Sequence, residues 1–324
     1  MIRIILAGLT LVASSLAGPA AVAMELPVGF SALRAKDERV QRIGFALATG
    51  NARFCERTTP ATGLLLHDVA TYPDGDELRD ALGLMGDIGV QGVVPGSPAE
   101  KAGLRPDQSV LMVAQSPVSS FALDRKKRWK RLEDVRKAID ASLSTSGDVV
   151  LSTARDTDAV EIRISGVQAC RSRFEVGPLG KRAVADGERV VIGNKFPGHA
   201  YPDELMAAVM AHELAHNVLR HRAWFDANGG RKRKAVRITE READRLMPWL
   251  LANSGYDPRA AVRFMQEWGP DHSGGIFRKR THDGWDERVE FIEAETVLVE
   301  RLFAATGQAD WRTHFKRETL PAPK

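Results

Sequence analysis

The chain has 324 residues, 44% of them hydrophobic and 27% charged, with a formal net charge of +4 and an isoelectric point near 9.1. This length allows a substantial core and favours two domains. The composition excludes a disordered or low-complexity chain, and the weak positive charge favours an ordinary solvated surface over one that binds an anionic envelope.

The first 23 residues have the pattern of a signal peptide. Arg3 gives a short positive start, Ile4–Leu16 is an apolar run, and Ala21-Val22-Ala23 supplies the small residues that a signal peptidase reads before Met24. The run is too short for a membrane span, and the sequence has no other stretch of about 18 apolar residues. No cysteine directly follows the run, which argues against a lipoprotein. We therefore expect residues 1–23 to be removed and the protein to be periplasmic or secreted, without a stable membrane span. An uncleaved anchor is the alternative.

Cys55 and Cys170 are the two cysteines of the chain. In an exported protein an even count favours a disulfide, which here would close a long loop and contribute roughly 4 kcal/mol in the chain-entropy model. A pair of buried free thiols is the alternative.

Residues 24–80 predict an N-terminal helical segment that packs on the catalytic domain. Segments 58–60 and 72–76 are predicted as loops from their turn-forming residues. The helix is indicated by apolar residues at helical spacing, with charged residues between them: Val40, Ile43 and Leu47.

Residues 81–167 predict a β-rich domain inserted between the two helical parts. The expected elements are strands at 90–94, 110–113, 148–153 and 159–164, a helical turn within 96–104 and an amphipathic helix at 132–139. This order resembles a bacterial PDZ domain of the kind attached to envelope proteases. The resemblance is carried by "GVVPGSPAEKAGL", by "LEDVRKAI" and by the strand before Arg155-Asp156.

The PDZ resemblance implies a C-terminal or extended peptide as a partner. Leu82-Gly83-Leu84 lies where that family cradles a carboxylate. The sequence departs from the family at Asp107-Gln108, where Gly-Asp is usual, and at Gln115-Ser116, where Asn-Gly is usual.

Two basic runs, Arg125–Arg131 and Arg231–Lys234, could bind nucleic acid or anionic lipid. Export argues against a nucleic-acid partner, so solvated loops are the favoured interpretation of both runs. The second run is close in sequence to the candidate metal residues, which leaves a preference for acidic substrates as its alternative.

Residues 168–324 predict a mainly helical domain with a small edge sheet. A strand at Val184–Ile192 precedes a long helix from Pro202 to Trp224, and further helices are predicted at 238–251, 258–268 and 287–303. Together with the inserted β-rich domain, this predicts an α+β fold. Val184–Ile192 has two interpretations, an edge strand that pairs with an extended peptide or an interior strand.

The sequence His212-Glu213-Leu214-Ala215-His216 lies in the predicted long helix. Residues four apart share one helix face, so His212 and His216 can direct two ring nitrogens to one point, which is half of a tetrahedral zinc site. Glu213 can activate a water without being a ligand. The alternative is a structural helix with two solvent-facing histidines.

A third zinc ligand is predicted on the next helix, at Glu240. Glu240 and Asp244 share a helix face, so the first can bind zinc and the second can hold a ligand histidine through its other ring nitrogen. Glu242 is the second choice of ligand. His221 is excluded because, five residues beyond His216 on a continuous helix, it points well away.

These motifs in combination resemble the HtpX/Oma-type gluzincin peptidases over about residues 183–303. The resemblance is carried by "ADGERVVIG", "DELMAAVMAHELAHNVLRH", "EREAD", "SGYDPRAA" and "THDGWDER". It implies a zincin-type domain with one Zn²⁺ per chain, Glu213 as general base, and three protein ligands, His212, His216 and Glu240.

The resemblance also implies that His282 and Arg288 lie near the substrate carbonyl. Asp283 stands where the family has proline. The alternative is a capped loop that enters the 287–303 helix, with Arg288 on the helix surface.

The leading hypothesis is a zinc-dependent endopeptidase that hydrolyses unfolded or misassembled envelope proteins, with the PDZ-like domain recruiting or regulating. One rival is a catalytically silent chaperone or adaptor with a structural zinc site. Another is a processing peptidase dedicated to a single protein substrate.

Overall fold

The computed structural model describes residues 26–27, 29–155, 158–272 and 283–318. The predicted signal peptide, residues 1–23, lies outside them. Within the described part every helix is too short or too polar to cross a bilayer. The helices are α1 Phe30–Gly50, α2 Gly75–Ala81, α3 Pro98–Lys101, α4 Lys130–Ser146, α5 Asp203–Val218, α6 His221–Ala227, α7 Arg233–Ala252, α8 Ala260–His272, α9 Trp285–Thr306 and α10 Trp311–His314.

The strands form three sheets in a mixed α+β fold. They are β1 Thr58–Ala61, β2 Leu64–Asp68, β3 Ile88–Val93, β4 Ser109–Val113, β5 Ser116–Pro117, β6 Asp148–Arg155, β7 Asp158–Ser165, β8 Val167–Cys170, β9 Arg173–Gly177, β10 Ala183–Ala185 and β11 Arg189–Gly193.

The largest sheet, with α2, α3 and α4, forms what we call the β-rich unit. Its antiparallel strands run in the order β2-β3-β4-β6-β7, and β5 pairs with β4. One face of α4 packs on the sheet through residues spaced by four, as an amphipathic helix requires. These residues are Val135, Ile139 and Leu143. The first strand of the sheet, Leu64–Asp68, precedes the sequence-based boundary at residue 81.

Residues 58–60 were expected to be a loop, and this is wrong. Thr58–Ala61 is strand β1, which pairs antiparallel with β8 so that Thr58 lies opposite Cys170. β-branched threonines favour strands, and Pro60 is tolerated because the sheet has two strands and each is an edge.

The disulfide between Cys55 and Cys170 is present, which confirms the prediction. Its two cysteines are separated by 115 residues in sequence and are both buried. The bond therefore joins the chain before and after the β-rich unit at the point where the unit leaves the rest of the molecule.

Helix α1 lies between the β-rich unit and the remaining helices. Gly44 allows it to approach β9, since a Cβ atom there would lie 2.2 Å from the Phe174 ring. On the side of the β-rich unit, Gln91 Nε2 donates a hydrogen bond of 2.7 Å to Asp37. Towards the helical part α1 presents a fully buried apolar stripe, Val40, Ile43 and Leu47.

The remaining helices and a three-stranded sheet form what we call the helical unit. The sheet has the order β10-β11-β9, with β11 parallel to β9 and β10 antiparallel at the edge. Helices α5, α7, α8 and α9 pack together around one apolar core. Met206, Met210, Leu214 and Trp249 are fully buried in that core.

The predicted single strand Val184–Ile192 is instead the hairpin β10–β11. Asp186 Oδ1 accepts hydrogen bonds from the backbone N–H groups of Glu188 and Arg189. Gly187 has a φ of +100°, which a residue with a side chain rarely adopts. The Asp-Gly pair is a known hairpin signal, so the turn was readable from the sequence.

The predicted long helix from Pro202 to Trp224 is also corrected, because it is two helices. α5 ends at Val218, Arg220 takes a left-handed conformation with φ +60°, and α6 begins at His221. The break frees the carbonyl of Leu219, which accepts a hydrogen bond of 3.1 Å from Arg317 Nη1.

Candidate metal centre

Two packed helices bring the predicted metal residues together. α5 carries His212 and His216, and α7 carries Glu240 on the face turned to them. One donor atom from each of these three residues lies within 4.8 Å of the other two. All three side chains are largely shielded from solvent.

The spacing of the donor atoms fits one tetrahedral ion. His212 Nε2 lies 3.3 Å from His216 Nε2 and 3.4 Å from Glu240 Oε2, and His216 Nε2 lies 3.8 Å from Glu240 Oε1. Ligand atoms about 2 Å from a zinc ion at tetrahedral angles stand about 3.3 Å apart. Two imidazoles and a carboxylate are also a ligand set that zinc accepts, so these residues fit the metal in both spacing and chemistry.

Asp244 holds the first histidine from behind. Its Oδ1 lies 3.0 Å from His212 Nδ1, which leaves Nε2 of that ring directed at the other ligands. Burial raises the pKa of Asp244, but Arg288 and His212 outweigh it and lower the pKa to about 2. Asp244 therefore stays ionised next to Nδ1 of His212.

The same charges act on the ligands themselves. Burial lowers the pKa of His212, but Asp244 and Glu240 outweigh this effect and raise the pKa to about 10 while no ion is bound. Burial raises the pKa of Glu240, and His216 and His212 more than reverse it, so the pKa lies well below its usual range. Without an ion this site therefore retains a proton, which a bound cation would displace.

Arg288 was expected near the substrate carbonyl. Its guanidinium donates two hydrogen bonds of 2.7 Å to the Asp244 carboxylate, in bidentate geometry. Arg288 is buried, and it lies 6.0 Å from the centre of the Trp268 ring at the wall of the cavity described below. His282, its predicted companion, lies outside the described residues.

His221 holds the second histidine from behind. Its Nδ1 lies 2.8 Å from His216 Nδ1, and its Nε2 lies 3.0 Å from Glu242 Oε2. His221 and Glu242 are both buried. Glu242, the second choice of ligand from the sequence, thus supports His221, and it accepts hydrogen bonds in turn from Arg317 and from the backbone N–H of Glu318.

This chain of contacts fixes one tautomer of each ring. Burial is the main cause that lowers the pKa of His221 to about 4, so the ring is neutral and carries one proton. Because the Glu242 carboxylate only accepts, that proton lies on Nε2 of His221. His221 Nδ1 then accepts from His216 Nδ1–H, and His216 Nε2 presents a lone pair to the cluster.

The sequence missed this arrangement because a continuous helix was assumed through His221. The break at Arg220 turns His221 back towards His216. An arginine with positive φ is uncommon and has no sequence signature, so the residues themselves gave no sign of it.

Glu213 lies on the open side of the cluster. Burial raises its pKa, against the opposing effects of His212, His216 and the backbone N–H of Ala185. A raised pKa suits a group that must accept a proton and later release it near neutral pH.

A cavity of about 460 Å³ opens onto the ligands and Glu213. The edge strand β10 lines part of it, and another part of the lining is apolar. The apolar lining includes Phe196, Val209, Phe264 and Trp268.

Asn217, on the metal helix, attaches the edge hairpin to that helix. Its Oδ1 accepts a hydrogen bond of 2.7 Å from the backbone N–H of Gly187, and its Nδ2 donates to Ser172 Oγ and to the carbonyl of Arg189. The side chain is buried, so these contacts fix the distance between β10 and the metal residues.

Comparison with known proteins identifies no family for this chain. No family model matches it, and no curated protein matches it significantly. Among solved structures it is similar to the HtrA3 PDZ domain bound to a phage-derived ligand (FGRWV), with 19% sequence identity, a TM-score of 0.25, and coverage of 35% of this chain and 89% of that one. A similarity at this level supports no inference about the metal centre or its substrates.

Proposed function

We propose that this protein is a zinc-dependent endopeptidase of the HtpX/Oma-type gluzincin class. The observation that carries the proposal is the convergence of His212, His216 and Glu240 at zinc spacing, with Glu213 beside them in an open cavity. A closed structural zinc site has four protein ligands, whereas three ligands and an accessible cavity are the arrangement of a catalytic site.

A zinc ion held by these ligands would supply Lewis acidity, which lowers the pKa of water to about 7 and polarises a carbonyl group. In the proposed reaction Glu213 takes a proton from the water that attacks the scissile carbonyl. It then delivers this proton to the leaving amide nitrogen, so that an amine and a carboxylic acid are released. Asp244 and His221 keep the two histidines in the tautomers described above throughout the cycle.

Substrate would bind along β10. This strand is the edge of its sheet and lines the cavity. The backbone N–H of Ala185 contacts Glu213, and the other backbone groups on the outer edge would pair with an extended peptide. Pairing through the backbone places few demands on sequence, which suits an enzyme that cleaves unfolded chains.

We further propose that the protein acts in the envelope. The N-terminal export pattern supports a periplasmic or secreted location, and the buried disulfide is consistent with an oxidising compartment. In this proposal the β-rich unit is a PDZ-like module that recruits the ends or extended segments of misassembled envelope proteins.

The test is a zinc and cleavage assay on the chain beginning at Met24. We expect about one zinc per chain and cleavage of unfolded casein that a chelator abolishes and added zinc restores. Bound zinc without any cleavage would instead support the chaperone or adaptor hypothesis. Cleavage of one envelope protein but not of casein would support a dedicated processing peptidase.

A further inference from the structure

The cavity over the metal residues has a cationic rim. The basic residues that line it near its mouth are Lys181, Arg182, Arg222 and Arg231. The carboxylates that line it, among the described residues, are Glu213 and Glu240, and both belong to the metal centre. Arg222 pairs with Asp226, with 3.0 Å between Arg222 Nε and Asp226 Oδ2, whereas no salt bridge among the described residues involves Lys181, Arg182 or Arg231.

These cations stand at both ends of the edge strand. Lys181 and Arg182 directly precede β10 and are exposed. At the other end, a Cβ atom on Gly187 in the hairpin turn would lie 3.4 Å from Arg222 Cβ. A strand of three residues covers about 10 Å, so positive charges stand about that far apart along the path of a paired peptide.

Arg231 extends the positive region on the side of α6. Its guanidinium lies 5.0 Å from the centre of the Phe225 ring, and both residues line the cavity. Contact with an aromatic face holds the cation in place without neutralising it.

Part of the cavity lining is apolar. The rings of Phe264 and Trp268 stack with centroids 5.8 Å apart, and Phe196 and Val209 belong to the same lining. Such a lining accepts a bulky apolar side chain next to the metal centre.

We propose that the enzyme selects peptide segments in which a bulky apolar residue at the scissile bond lies between acidic residues, two or three positions away on each side. The proposal rests on the endopeptidase function and names its substrate class. Carboxylates flanking the bond would lie near Lys181 and Arg182 at one end of β10 and near Arg222 at the other. Several solvated charge contacts of this kind act together and weaken as salt screens them.

The experiment uses peptides that are identical except at the flanking positions, which carry Glu, Gln or Lys. We expect kcat/KM to fall in that order, by about tenfold from Glu to Lys at low ionic strength, and the ratio to shrink towards one in 0.5 M salt, where screening acts over about 4 Å. The double variant Lys181→Glu, Arg182→Glu should lose or reverse the preference at one end of the peptide. Lys137→Glu, on α4 of the β-rich unit, makes the same type of charge change away from the cavity and should leave the ratio unaltered.

The affinity of the same peptides for the Glu213→Gln variant separates this proposal from the proposed function. If no peptide is cleaved but the Glu peptide binds several-fold more tightly than the Lys peptide, the charge preference holds and the endopeptidase function fails. If all peptides are cleaved and bound equally, the charge preference is overturned while the endopeptidase function stands.

Discussion

At the residue scale, each metal-directed histidine is held by a different kind of support. His212 is held by a carboxylate alone, Asp244, whereas His216 is held by a second imidazole that is itself held by Glu242. Both supports leave Nε2 facing the same point. The ring orientations are therefore set by buried polar contacts, before any ion is bound.

We predict that His221→Ala weakens zinc binding by about 10- to 100-fold, the usual cost of losing a partner that orients a ligand. Chelator competition gives the affinity, and ¹⁵N chemical shifts of the His216 ring report its tautomer, which a merely structural role would not change. His314→Ala, on α10, is the control. An unchanged affinity together with an unchanged His216 tautomer would contradict the prediction.

The buried His67, in β2, should make the free energy of unfolding depend on pH. It is buried against Phe30 and Tyr72, and both of its ring nitrogens lack a hydrogen-bond partner among the described residues. Burial lowers its pKa from 6.5 to about 4, with a further contribution from Arg34. Between these pH values the unfolded chain binds the proton more readily, so the free energy of unfolding should fall as the pH drops from 6.5 towards 4.

The loss should be at most about 3 kcal/mol, since one pKa unit corresponds to about 1.4 kcal/mol. Urea unfolding of the wild type at several pH values, beside His67→Leu, measures it. The variant should lack this part of the pH dependence. Equal slopes for both proteins would show that His67 does not cause it.

At the element scale, the hairpin β10–β11 is attached to the helix α5, which carries two of the metal residues. Asn217 joins them through two hydrogen bonds, to Gly187 and Arg189, and a third bond connects it to Ser172 before β9. The strand so positioned is the proposed peptide-binding edge. The strand is the outermost of its three-stranded sheet, and it also contacts α5 directly.

We predict that Asn217→Ala lowers kcat/KM for peptides by tenfold or more while about one zinc per chain is retained, because a displacement near 1 Å at a reacting centre can cost a hundredfold. The freed Gly187 N–H and Arg189 carbonyl should also lower the free energy of unfolding by about 1–3 kcal/mol. Peptide kinetics, zinc content and urea unfolding test the three parts. Wild-type kinetics in the variant would show that the hairpin needs no attachment.

The elements that the sequence predicted well are those with strong periodicity. The stripes on α1 and α4 recur every three or four residues, and α4 extends beyond its predicted span of 132–139. Short strands were the weakest predictions, since β1 contains Pro60 and is stabilised by pairing with β8, more than 100 residues away. Such pairing depends on the tertiary fold, which local propensity does not encode.

In the candidate site, too, local patterns were predictable and contacts between distant elements were not. HExxH and the Glu240–Asp244 spacing were readable because one helix face fixes which residues meet. The contact between Arg288 and Asp244 could not be read from the sequence, because it depends on how two separate helices pack. The contact between His221 and His216 could not be read either, because it depends on a left-handed residue between two helices.

At the scale of the whole molecule, α1 and the disulfide connect the two units. Helix α1 contacts both, and Arg39 in it donates a hydrogen bond of 2.7 Å to Asp203 at the start of the metal helix. The bond between Cys55 and Cys170 closes the chain at the base of the β-rich unit.

We predict that the double variant Cys55→Ser, Cys170→Ser loses roughly 4–5 kcal/mol of unfolding free energy, because a loop of about 115 residues is no longer closed in the unfolded state. Urea unfolding at fixed zinc concentration measures the loss, and the wild type under reducing conditions should show the same loss. Identical midpoints for all three samples would contradict it.

The central claim is that Glu213 transfers a proton at a zinc centre formed by His212, His216 and Glu240. The most direct test compares Glu213→Gln with the wild type for zinc content and for cleavage of unfolded casein. We predict about one zinc per chain in both proteins and at least about a hundredfold loss of cleavage in the variant, the usual contribution of a general base. A zinc-loaded variant that cleaves at the wild-type rate would contradict the account.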